Sequence, residues 1–127
     1  MKTAIPDAPW SIDYADGSAN AYHLSNPGAD ADILFEYVPV TPERSSTGTY
    51  SGGPPRREVL VADDSRLAEL WRLVSRLEAD TSLHSPERAK GTGALTVMTA
   101  DGKREFVVQR GPALKELDDL LARFGAP

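Results

Sequence analysis

Apolar and polar side chains alternate along short segments in the first third of the chain. Such alternation predicts β-strands, because every second side chain lies on the same face of a strand. Trp10, Ile12 and Tyr14 occupy one such face, and a turn separates them from a second run at 21–24, which together predict a β-hairpin. A third strand is predicted at 33–38, where both faces are largely apolar, a pattern that favours a central position in a sheet.

The spacing of the apolar positions changes from two to about 3.6 residues after a short β-branched run at 58–61. Asp63, Asp64 and Ser65 provide N-cap oxygens and negative charge, both of which favour the start of a helix. The spacing predicts a helix that ends near Glu78. Its buried stripe is predicted to contain Leu67, Leu70, Trp71, Val74 and Leu77.

Glycine and proline interrupt the pattern over residues 79–93, which predicts a loop with one helical turn near 85–88. Strands at 94–99 and 104–109 then flank an Asp-Gly pair, a strong signal for a tight hairpin turn. A last helix is predicted to start at Pro112. Its buried stripe comprises Leu114, Leu117, Leu120, Leu121 and Phe124, and Gly125 provides a stop.

The predicted order is therefore β-β-β, a long loop, β-α, a loop, and β-β-α. This order lacks the strict β-α alternation of a parallel doubly wound sheet. We expect a single α+β domain over residues 1–127, with a mostly antiparallel sheet of about six strands and two amphipathic helices packed on one face. Residues 1–9 are compatible with an extended N-terminal arm, and residues 41–57 form a long polar loop.

Composition narrows the class of protein. The 127 residues are 40% hydrophobic and 26% charged, as expected for a small soluble globular domain. The absence of cysteine excludes disulfides and thiolate metal sites, and it fits a cytoplasmic location. Prolines and an aspartate interrupt the first ten residues, so no signal peptide is expected, and no run reaches the roughly 20 apolar residues that cross a bilayer.

Charge is unevenly distributed in this acidic chain, whose net charge is −5. Residues 1–43 contain seven acids and a single base, Lys2. Because this field repels phosphate backbones, general nucleic-acid binding is not expected.

Catalytic and cofactor motifs are missing from the sequence. His23 and His84 are the only histidines, and neither has a second metal ligand at helical or hairpin spacing. The glycines near residues 90–93 precede a predicted strand, whereas a phosphate site needs them before a helix. With no nucleophile elbow either, we predict no catalytic residue, no metal site and no cofactor, and we favour a binding protein over an enzyme.

The 41–57 loop is the strongest candidate for a recognition element. Connections of this length are uncommon inside compact domains unless they are functional or disordered, and tyrosine among small polar residues is typical of binding loops. Prolines at both ends would stiffen it. The candidate binding residues are Arg44, Thr47, Thr49, Tyr50, Ser51, Arg56 and Arg57.

Two functions remain open from the sequence. The first is a cofactor-free protein-binding module, such as an inhibitor, immunity-type or adaptor protein, that recognises another protein through the 41–57 loop. The alternative is a domain or minor enzyme that binds a small molecule or anion in a pocket near Tyr50, Arg56 and Arg57. The loop could also serve only as a connection. A homodimer is compatible with the sequence and would be favoured by an exposed apolar patch.

Overall fold

The computed structural model describes residues 8–17, 20–28, 32–39, 55–61, 63–88 and 91–125. It contains a six-stranded antiparallel sheet and two α-helices, which confirms the predicted α+β fold. The strands are β1 (Trp10–Ala15), β2 (Ala21–Asn26), β3 (Ile33–Val38), β4 (Arg56–Leu60), β5 (Gly93–Thr99) and β6 (Gly102–Val108). The helices are α1 (Ser65–Ala79) and α2 (Pro112–Leu121).

The strands lie in the order β4-β3-β2-β1-β5-β6, and each strand is antiparallel to its neighbours. β3 has a neighbour on both sides, but the central pair is β1 and β2.

The short helical turn predicted between the two helices lies at a different position. A 3₁₀ turn forms at Thr81–Leu83 rather than at 85–88, because the Asp80 side chain accepts the backbone N–H of Ser82 and caps it. The Ser85 hydroxyl donates instead to the Glu87 carbonyl within a bend.

The core lies between one face of the sheet and the two helices. The predicted stripe of α1 is buried in full, and the Asp64 side chain caps this helix by accepting the backbone N–H of Arg66 at 2.9 Å. Trp10 of β1 meets Trp71 of α1 edge to face at 5.2 Å between ring centroids. Ring contacts of this kind contribute beyond the area that they bury, so this pair fixes α1 on the sheet.

α2 crosses the same face from β5 to β4. Near its start, Leu114 lies so close to Gly93 that a β-carbon on Gly93 would come within 2.7 Å of Leu114 Cδ1 and 2.5 Å of Tyr14 Cε1. Beyond its end, Phe124 stacks on Phe35 of β3 at 5.2 Å between ring centroids. Both helices therefore cover one face, as predicted.

β4 begins at Arg56, two residues before the start predicted from the β-branched run. Arg56 and Arg57 pair with Tyr37 and Glu36 of β3, so the last two residues of the 41–57 segment belong to the sheet. Residues 1–7 and 40–54 lie outside the described residues, and so do most of the predicted N-terminal arm and most of the predicted loop.

Candidate functional site

Only two of the seven predicted binding residues lie in the described part of the chain. Arg44, Thr47, Thr49, Tyr50 and Ser51 fall outside it. Arg56 and Arg57 are consecutive in β4, so their side chains project from opposite faces of the sheet. The two arginines cannot line one pocket together.

Arg56 projects toward the helices and stabilises the end of α2. Its Nη1 donates to the carbonyls of Ala122 at 3.1 Å and Phe124 at 3.0 Å. Its guanidinium also lies 4.6 Å from the centroid of the Tyr37 ring. A cation at this position satisfies carbonyls that the helix leaves unpaired. This arginine therefore has a structural role in the described geometry.

Arg57 projects from the face of the sheet that no described helix covers, which we call the open face. Its outward side chains form three rows across the sheet, two from β4 to β6 and the third from β3 to β6. The first row holds Val59, Leu34, Ser25, Ser11, Met98 and Lys103; the middle row holds Arg57, Glu36, His23, Asp13, Thr96 and Glu105; the third row holds Val38, Ala21, Ala15, Ala94 and Val107.

The open face exposes large apolar side chains. Every residue of the three rows is exposed or half-buried, and no helix of the described chain lies over them. Val59 is 59% exposed, Val38 51% and Met98 47%. Antiparallel sheets often present one polar, solvated face, so exposed apolar groups on both sides of a polar row are typical of an interaction surface.

The middle row is polar, and its side chains pair across neighbouring strands. His23 Nδ1 and Asp13 Oδ1 are hydrogen-bonded across the β1–β2 pair. Arg57 stands directly opposite Glu36 across the β3–β4 pair. Opposite charges placed across two strands stabilise a sheet by about 0.2–1 kcal/mol. The free energy needed to bury this row in an interface is lower than that for isolated charges, because neighbouring charges compensate each other.

Small side chains create shallow depressions on the same face. One, of about 200 Å³, lies over the alanines of the third row: Ala15, Ala21 and Ala94. The other, of about 210 Å³, lies over Ser11 and Ser25 and is bordered by Met98. The open face thus has both projecting apolar side chains and recesses about as large as a side chain.

A separate groove of about 510 Å³ lies beside the start of α2. Asp16, Arg110, Lys115 and Asp118 contribute its charged groups. At its wall, the Tyr14 hydroxyl donates to Asp118 Oδ1 at 2.6 Å. Burial raises the pKa of Asp118, and the Tyr14 hydrogen bond offsets part of that rise. Burial also raises the pKa of Tyr14, with the hydrogen bond to Asp118 adding to the effect.

An ion-pair cluster joins β4, the start of α1 and the chain beyond α2. Arg66 Nη2 donates to Glu58 Oε2 at 2.7 Å and to Asp64 Oδ2 at 2.8 Å. The backbone N–H of Gly125 donates to Glu58 Oε1 at 2.8 Å. The hydrogen bonds from Arg66 hold the pKa of both carboxyl groups below their usual range. Since every member bonds to another part of the fold, this cluster is structural.

The groove between the helices, of about 500 Å³, is lined mainly by charged side chains. Two ion pairs cross it, from Arg76 Nη2 to Glu116 Oε2 at 2.6 Å and from Arg123 Nη2 to Glu69 Oε1 at 2.8 Å. All four groups are more than half exposed, so each pair contributes little to stability. We interpret this groove as the solvated outer surface of the helical layer.

Neither histidine belongs to a metal centre in the described part of the chain. His84 Nε2 lies 2.7 Å from the Leu77 carbonyl, and its ring stacks on Phe106. Over these ranges, no group of three or more His, Asp or Glu side chains is placed to hold a metal ion. No described helix has the length and apolarity needed to span a membrane.

Sequence reasoning named Arg57 as a candidate but did not indicate the surface to which it belongs. The three rows depend on strand order and register, which place residues from all six strands side by side. A partial signal was present in β3, whose outward Leu34 and Val38 are apolar. Comparisons with protein-family models, with curated proteins and with solved structures found no match for this chain.

Proposed function

We propose that this chain is a protein-binding module whose recognition surface is the open face of its sheet. The observation that carries the proposal is the exposure of Val38, Val59 and Met98 around a polar middle row. Specific interfaces typically combine apolar contact area with polar groups whose hydrogen bonds are satisfied. The open face offers both on a rigid sheet, which limits the entropy lost when a partner binds.

The 41–57 segment fits the same proposal because of where it joins the sheet. β3 ends at Val38 and β4 begins at Arg56, and both termini lie at the same end of the β3–β4 pair. Val38 and Arg57 belong to the open face. We propose that Tyr50 and its small polar neighbours, which lie outside the described residues, take part in recognition together with the open face.

The proposal is tested by affinity capture from the native lysate with quantitative mass spectrometry. The variant Val38→Lys plus Val59→Lys places two charges on the open face without altering the core. The control, Ala79→Lys plus Ala122→Lys, adds the same charge at exposed positions of the helical layer. We expect the first variant to lose partners that the wild type and the control retain. Equal recovery of every partner by all three proteins would contradict the proposal.

A second function, binding of a small polar molecule, is favoured by the groove beside α2. Its volume of about 510 Å³ is suited to a small ligand, and its two acids and two bases suit a zwitterionic one. Thermal-shift screening with amino acids and other zwitterions tests it: a ligand should raise the melting temperature of the wild type but not that of Lys115→Ala. Equal shifts for both proteins, or none, would exclude this function for the groove.

A further inference from the structure

We infer that a second copy of this chain covers the open face, forming a symmetric face-to-face dimer. The inference rests on the proposed function, since it identifies the partner of the same surface. β1 and β2 form the centre of the sheet, with two strands on each side. The sheet can therefore be matched strand by strand with a copy of itself.

One two-fold axis produces this match. An axis parallel to the strands, passing between β1 and β2 and midway between the two sheets, places β2 over β1 of the second copy. It also places β3 over β5 and β4 over β6, and it keeps each of the three rows over the same row of the partner. Such an interface is isologous, so every contact occurs twice.

Under this axis the middle row brings one pair of opposite charges together at each edge of the sheet. His23 faces Asp13 of the second copy, and Arg57 faces Glu105 of the second copy. Glu36 faces the uncharged Thr96 of the second copy. Charges arranged in this way orient two molecules and disfavour incorrect settings.

The outer rows bring apolar side chains together over β3 and β5, whereas Val59 faces Lys103 of the second copy at the edge of the sheet. Leu34 faces Met98 of the second copy, so two apolar side chains that are now at least partly exposed cover each other. Val38 faces Ala94 of the second copy, where small side chains line the depression of about 200 Å³. A projecting valine thus meets a recess, and the symmetry repeats the contact.

A two-fold axis that runs across the strands gives an unfavourable arrangement. This axis lies in the same plane, and it places every strand over the same strand of the second copy. Arg57 would then face Arg57, and Glu36 and Glu105 would face their own equivalents. Like charges that face each other in this way are repulsive, so the charge pattern selects the axis parallel to the strands.

The dimensions predict a weak dimer. Six strands about 4.8 Å apart and rows extending about 17 Å along them bury on the order of 1,000 Å² in total, near the lower limit for specific interfaces. Facing sheets cross at about −30°, so the match is best near the axis and less close at β4 and β6. We therefore expect dissociation in the micromolar range.

Sedimentation velocity on the full chain, over a micromolar concentration series, tests the inference. We expect the mass to rise from 13.7 kDa towards twice that value. Leu34→Lys or Met98→Glu should each weaken the dimer at least about tenfold, because each places a charge against an apolar side chain of the second copy. The double variant should recover most of the affinity through a new ion pair between copies. Within one chain the two positions are about 14 Å apart, beyond the screening length of about 8 Å at physiological salt.

The control Ala79→Lys, in the helical layer, should dimerise like the wild type. A monomeric wild type, a dimer insensitive to Met98→Glu, or a double variant no tighter than the single variants would overturn the inference. Met98 is exposed, so its substitution does not endanger the fold. If the wild type is monomeric while capture of another protein depends on Val38 and Val59, this inference fails and the proposed function stands.

Discussion

Replacing Tyr14 by phenylalanine should destabilise the protein in a pH-dependent way. The substitution removes the hydroxyl that donates to Asp118 Oδ1 at 2.6 Å and leaves the buried ring in place. Asp118 is half-buried, so water replaces the lost hydrogen bond only in part. The pair links β1 to α2, and its loss weakens the contact between the sheet and the second helix.

The expected cost is about 1–2 kcal/mol. Hydrogen bonds to charged groups contribute about 1.5–3 kcal/mol, and partial access of solvent to Asp118 reduces that value. At about 2.1 cal/mol/K per residue, the unfolding entropy of 127 residues is about 0.27 kcal/mol/K. The melting temperature should therefore fall by about 4–7 °C at neutral pH.

The sign of the pH dependence follows from Asp118. Burial raises the pKa of Asp118 in the folded state. Protonation of Asp118 therefore stabilises the folded state fully at pH values below the pKa of this group in the unfolded chain. This contribution is lost as the pH rises through the pKa of the folded state. The Tyr14 bond acts in the opposite direction, since it favours the charged carboxylate. The difference between wild type and variant should thus be largest at neutral pH and shrink as Asp118 becomes protonated.

Urea and thermal unfolding of the wild type and Tyr14→Phe at neutral and acidic pH test this prediction. Tyr22→Phe is the matched control. The Tyr22 ring stacks on that of Tyr14, and its hydroxyl makes no hydrogen bond with described residues. In an Asp118→Ala background, Tyr14→Phe should cost less than about 0.5 kcal/mol, because the acceptor is gone. A loss that equals that of Tyr22→Phe, or that is the same at all pH values, would refute the reasoning.

Three further predictions concern stability. Arg66→Ala should cost about 1.5–3 kcal/mol at neutral pH in urea unfolding. Because Arg66 lowers the pKa of Glu58, this cost should shrink as the pH falls through that lowered value; a constant cost would argue against the ion pair. Gly93→Ala should lower the urea midpoint by an amount equivalent to about 1–3 kcal/mol, since the added carbon has no space, and an unchanged midpoint would show that neighbours move freely. Arg56→Ala should cost about 1–2 kcal/mol through the lost hydrogen bonds, whereas Arg57→Ala should stay within about 0.5 kcal/mol of wild type; equal losses would contradict their assignment to opposite faces.

The sequence predicted those elements whose apolar residues repeat with a clear period. The stripe of α1 and the stripe of α2 with Phe124 are buried as predicted, since amphipathic helices must place one face against the core. The hairpin of β5 and β6 forms where it was predicted, although its turn is Ala100-Asp101 and Gly102 already belongs to β6, opposite Thr99. In these elements local chemistry and tertiary packing favour the same conformation, so local reasoning is sufficient.

The remaining features depend on contacts between distant segments. The start of β4 was missed because two arginines carry no β-strand signal, and Arg56 is stabilised there by carbonyls beyond α2. Asp118 is one of many acids in the sequence, and burial raises its pKa only when α2 packs on the sheet and brings it to Tyr14, 104 residues away. The open face was missed because periodicity shows which residues share a face but not whether anything covers it.

The bonds between Arg56 and the carbonyls beyond α2 have a consequence for synthesis on the ribosome. Their partners are separated by 66 and 68 residues, so β4 leaves the exit tunnel long before Ala122 and Phe124 have been translated. Glu58 depends on the same late segment, because it accepts the N–H of Gly125. Domains generally fold as units during synthesis. The inner surface of β4 therefore completes its contacts only after the segment beyond α2 has emerged from the ribosome.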